Sequence, residues 1–161
     1  MSAPKKSASV SPAKQVAGFI VKFDPSIAKL TRACRSEIRK RYPAAIELVY
    51  DNYNALAIGF GPTERTSDAI LSLAVYARGV NLYFIHGASL PDRDRLLEGN
   101  GKQGRFMRLA NAAQLDDPKV SALIGLAAAR SRVPMAPTGR GSTIVKSVSA
   151  KQRPRRPARD A

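Results

Sequence analysis

From Pro43 to Leu109 the apolar residues recur at every second position in five short runs, and no stretch between the runs carries a helical repeat. The runs are 45–50 (AIELVY), 55–60 (ALAIGF), 69–77 (AILSLAVYA), 80–86 (VNLYFIH) and 105–109 (RFMRL). A period of two places alternate side chains on opposite faces of a strand. In the first run Ile46, Leu48 and Tyr50 alternate with Ala45, Glu47 and Val49. Leu56, Ile58 and Phe60 alternate in the second, and Leu71, Leu73 and Val75 share one face in the third. The first links are short: Asp51-Asn52-Tyr53-Asn54, the loop 61–67, and Arg78-Gly79, which reads as a hairpin turn. Strands joined without crossover helices predict an antiparallel meander of about five strands.

Helical spacing flanks this block. Residues 15–22 (QVAGFIVK) predict a short helix with Val16, Phe19 and Ile20 on one side. Asp24-Pro25 reads as a helix start, because Asp can cap free N–H groups and Pro loses no bond at the first helical position. Ile27, Leu30, Cys34 and Ile38 follow at spacings of three and four, and Pro43 ends the helix. Arg39, Lys40 and Arg41 fill its last turn, where the helix dipole favours cations. Asp117-Pro118 repeats the start signal, with Val120, Leu123, Ile124 and Ala127 marking a helix to about Arg132. The expected fold is α+β, a two-layer domain over 15–132 with helices packed on an antiparallel sheet. Residues 1–14 and 133–161 read as disordered tails, the second rich in Pro and Arg. Within the second, Ile144, Lys146 and Val148 alternate in STIVKSVS, a segment able to add a strand or dock on a partner.

The net charge of +15 is concentrated at the ends. Residues 131–161 carry eight Lys or Arg against one Asp, and the two tails together hold two-thirds of the surplus. Such a balance points to anionic partners, nucleic acid or acidic protein. The candidate anion-binding tail is Lys151, Arg153, Arg155, Arg156 and Arg159, kept extended by prolines but with no aromatic residues interleaved for base stacking. A single cysteine, Cys34, excludes an internal disulfide and a Cys-only zinc site. No apolar run reaches membrane-spanning length, and MSAPKKSASVSPAK lacks the apolar segment of a secretory signal, so the expected location is cytoplasmic.

Four motifs invite a chemical reading. Residues 99–104 (GNGKQG) match G-x-G-x-x-G, but RFMRL follows in place of a helix, and Lys102 precedes Gln rather than Ser or Thr. The string therefore reads as a hairpin loop that uses glycine for positive φ, and no nucleotide or other cofactor is expected. His86, the only histidine, has no nucleophile or orienting carboxylate signalled beside it. Cys34 lies on an apolar stripe as a small hydrophobe. Asp92, Asp94 and Glu98 alternate with Arg93 and Arg95, a pattern of local ion pairs rather than metal ligands. Should the chain be an enzyme, Asn52, Tyr53, His86 and Arg105 are the polar strand-end residues that can converge in a cleft.

From Val80 to about Leu123 the chain resembles the YdhG-like family, whose domain has no assigned function. The resemblance rests on Gly87, Leu90-Pro91-Asp92, Leu96-Leu97-Glu98-Gly99, Gly101-Lys102, Arg105, Leu109 and the acidic-proline opening of the 115–124 helix. It implies an α+β fold with an antiparallel sheet and makes GNGKQG a family loop. Many relatives carry a Trp-Gly-x-Pro segment where this chain has Tyr50-Asp51-Asn52-Tyr53-Asn54. Some relatives are described as frataxin-like iron chaperones that rely on acidic surfaces; this chain is basic, and iron binding stands only as the alternative. The leading expectation is a non-enzymatic binding module for anionic partners.

Overall fold

The computed structural model describes residues 10–158. Two helices open it, α1 (Pro12–Val21) and α2 (Pro25–Arg41). They lead into β1 (Ile46–Asp51), β2 (Leu56–Gly61), β3 (Leu71–Tyr76), β4 (Gly79–Phe84) and β5 (Arg105–Leu109). Helix α3 (Pro118–Ala129) and strand β6 (Thr143–Val148) close the chain. Ser11 accepts a hydrogen bond from the Lys14 N–H with Pro12 in the first turn, so α1 starts inside the segment read as a tail. Asp117 caps α3 through the Lys119 N–H at 2.9 Å. The Asp24 side chain, expected to do the same for α2, makes no cap bond; its backbone carbonyl takes the first helical bond from Ala28.

The sheet has six strands in the order β5-β4-β3-β2-β1-β6. The first five form the expected antiparallel meander, while β6 runs parallel to β1, making the sheet mixed. This corrects the five-strand, wholly antiparallel expectation. The sixth strand is the alternating segment of the C-terminal region. Its partner is reached by a connection running back along the domain, where the Gly141 N–H bonds the Pro43 carbonyl and the Glu47 N–H bonds the Ser142 carbonyl. Gly141 is required there, since a Cβ would meet the Ala45 carbonyl at 1.9 Å.

One sheet face packs on the helices. Leu56, Ile58, Phe60, Leu71, Leu73, Val75, Val80, Leu82 and Phe84 form its floor against Val16, Ile20, Cys34, Ile38, Val120 and Ile124. Burial of this area is the main stabilising term. Pairing with Phe60, Ile58 and Leu56 puts Glu47, Val49 and Asp51 on that same face. Two carboxylates therefore lie inside, at 2% and 1% exposure. Arg35 of α2 holds Glu47 through two bonds of 2.7 and 2.9 Å, with Thr143 of β6 donating a third at 2.7 Å. Asp51 is held by Arg155 at 2.8 Å, with Lys22, just past the end of α1, at 3.8 Å. Burial without such partners would be prohibitive for either charge.

The opposite face carries Ile46, Leu48, Tyr50, Ala57, Gly59, Ser72, Ala74, Asn81 and Tyr83. No helix covers it. The β2–β3 connection folds over its β1–β2 side instead, bringing the Tyr50 hydroxyl onto Thr66 and Ala69 so close to Gly61 that a Cβ there would meet the Ala69 Cα at 2.9 Å. The rest of this face, over β2, β3 and β4, stays open.

Candidate functional site

On the uncovered part of the sheet the floor side chains are small. Ala57, Ser72 and Ala74 lie along it, and tyrosines rise around them: Tyr53 from the β1–β2 turn, Tyr76 from the end of β3 and Tyr83 from β4. The result is a trough of about 460 Å³ that Asn52, Asn54 and Ile85 also line, with no Asp or Glu in its wall. The sequence produces it by setting Ala, Ser and Gly opposite the leucine rows: Ala57 pairs with Ala74, and Gly59 with Ser72. Small residues on one face of β2 and β3 leave a depression that the aromatic rings border.

The rings are held in place. Tyr83 packs on Phe106 with centroids 5.1 Å apart and planes tilted by 30°. Burial, with the Tyr83 phenol beside it, pushes the Tyr76 phenol above its ordinary range. Tyr53 is half exposed and carries the Arg153 guanidinium 5.7 Å above its ring, while its backbone carbonyl accepts from the Arg153 N–H at 2.9 Å. Beyond Tyr76, Arg108 lies across Gly79 and donates to the Arg78 carbonyl at 2.6 Å. The register carries the row Ala57, Ala74, Asn81 and Arg108 across four strands, about 14 Å at the usual strand spacing. A cation thus flanks each side of an aromatic surface.

The sequence offers Asn52, Tyr53, His86 and Arg105 as a candidate cleft. The structure brings Asn52 and Tyr53 together in the trough and places His86 in a separate cavity under α3. Arg105 is in neither; it donates to the Gly101 and Gly104 carbonyls at 2.6 and 2.7 Å and staples its own loop. That loop is GNGKQG. It is closed by a two-bond bridge between Glu98 and Phe106, Gly99 alone among its residues takes positive φ, and β5 follows it rather than a helix.

The tail cations divide as well. Lys151 and Arg153 are exposed, and Arg153 meets the aromatic residue that the tail itself lacks. Arg155 is buried, at 6% exposure, bonded to Asp51 and to the Asn52 carbonyl, with Phe23 beneath it at 5.6 Å. Arg156 donates to the carbonyls of Lys22 and Val21. Arg155 is spent on the domain, which corrects its place in the candidate anion-binding tail, while Arg156 rests on α1's end and stays exposed. Arg159, like residues 1–9, lies outside the described residues.

Tyr76 and Tyr83 were missed because the pattern of their strands announces only the buried row; the signal was the small residues at the intervening positions. Burial, with Glu37 nearby, pushes the Cys34 thiol up to about 11, which leaves it a poor nucleophile. Among the described residues no three His, Cys, Asp or Glu side chains gather as a metal site, and no helix is long and apolar enough to cross a membrane. No family model, curated protein or solved structure matches the chain.

Proposed function

We propose that the protein is a non-enzymatic cytoplasmic module that binds single-stranded nucleic acid on the open face of its sheet. The observation that carries this reading is the acid-free tyrosine trough flanked by Arg153 and Arg108. Bases stack on exposed aromatic rings whatever their sequence, and cations beside the rings neutralise the phosphates that link them. Tyr53, Tyr76 and Tyr83 are the stacking surfaces, and the Asn52 and Asn54 amides offer hydrogen bonds to base edges. A net charge of +15 supplies long-range attraction to such a polymer. The YdhG-like resemblance belongs to the same proposal; the succession of strand, glycine loop, strand and proline-started helix over 79–129 supports it.

Fluorescence anisotropy with a labelled oligothymidylate, in a salt series, tests the reading. Tyr83→Ala and Tyr53→Ala are each expected to weaken binding by about 1–3 kcal/mol, the usual value of one stacked base. Arg153→Ala is expected to weaken it and to flatten the plot of log affinity against log salt by about 0.7. Binding indifferent to salt and to both tyrosine changes overturns the proposal.

A further inference from the structure

A second cavity lies away from the trough, where the β2–β3 connection, the turn after β4 and the C-terminal end of α3 meet. It encloses about 490 Å³. Its floor is apolar, made by Ile70, Leu90 and Ala127, and its wall carries Arg65, Arg130 and Arg132 with His86 beside them. One carboxylate, Asp68, shares the wall, and Thr63 donates to it at 2.7 Å. Arg130 is fixed by a 2.7 Å bond to the Ser89 carbonyl, while Arg65 and Arg132 are exposed and enter no ion pair among the described residues. The end of α3 adds about half a negative charge, against three full positive ones.

We infer that this cavity is a binding site for a small phosphate monoester with a compact apolar body. Three guanidiniums against one carboxylate leave a surplus of two positive charges in the wall, which suits a dianion better than a monoanionic carboxylate. An apolar floor under a charged rim is the usual construction of a small-ligand site, and 490 Å³ holds a single ring with its phosphate. The wall shares no residue with the trough, so the site stands or falls independently of nucleic-acid binding.

Phenyl phosphate is the probe, titrated into the full chain by calorimetry, with inorganic phosphate and benzoate as separate arms. Phenyl phosphate is expected to bind saturably and more tightly than either. The double variant Arg65→Ala/Arg132→Ala, at two exposed positions, is expected to melt at the native temperature and to weaken binding at least about tenfold. Arg132→Gln alone gives a smaller loss in the same direction, and Tyr83→Ala leaves phenyl phosphate binding unchanged. Absence of saturable binding, equal binding by the folded double variant, or benzoate binding as tightly as phenyl phosphate overturns the assignment.

Discussion

Cys34 shows how one position can be read correctly from spacing and still hold a further consequence. Its place on the stripe of α2 was legible, and it is fully buried. Its thiol titrates near 11 in the folded chain against 9.0 ordinarily. A group whose pKa is raised by folding contributes stability below its unfolded pKa and loses it as pH rises toward the folded value. Between pH 9 and 11 stability falls by on the order of 1 kcal/mol per pH unit. Urea melts across that window are expected to show Cys34→Ala with a shallower decline than the native chain. At neutral pH, alkylation of Cys34 is expected only after unfolding. Glu47 and Asp51 were less legible, because both alternating rows of AIELVY contain apolar residues and nothing local says which row meets the helices. Arg155→Ala strips Asp51 of its closest partner, leaving Lys22 at 3.8 Å, and is expected to cost about 3–5 kcal/mol in urea unfolding. A loss below 1 kcal/mol would mean that water reaches the carboxylate.

Among elements, β2 to β5 were the easiest to recognise, since each pairs with its neighbour in the chain and its pattern is local. Strand β6 has an equally clear alternation, yet its partner β1 lies 96 residues away at Glu47 and Thr143. No local pattern encodes that distance, so the alternation offers either a strand or a docking segment within a region read as a tail, and its place in the sheet was not legible. The trough was hidden for a related reason: it arises where Tyr53, Tyr76 and Tyr83 from three separate segments converge over small residues of β2 and β3. As the outer strand with exposed residues at its C-terminal half, β6 is expected to exchange its amide hydrogens well before β2 and β3 in native-state exchange. Equal protection across all six strands would contradict that ranking.

For the whole molecule, pairing Arg35 and Arg155 with Glu47 and Asp51 leaves the net charge at +15, and the remaining cations repel each other on one small surface. Exposed charges are screened by salt while buried pairs are largely sheltered. The melting temperature is therefore expected to rise between 0.05 and 0.5 M salt, as the self-repulsion of a +15 chain is damped. A fall would mean that exposed ion pairs dominate stability.

The parallel pairing of β6 also governs how copies of the chain treat one another. With β6 in place, β1 is an interior strand; without it, the backbone of Glu47, Leu48 and Val49 becomes an unguarded edge. The 13 residues between α3 and β6 form a connection long enough to lead the strand to a neighbour. Two molecules that trade their last strands would recover every lost bond, so refolding at high concentration is a natural route to interlocked dimers.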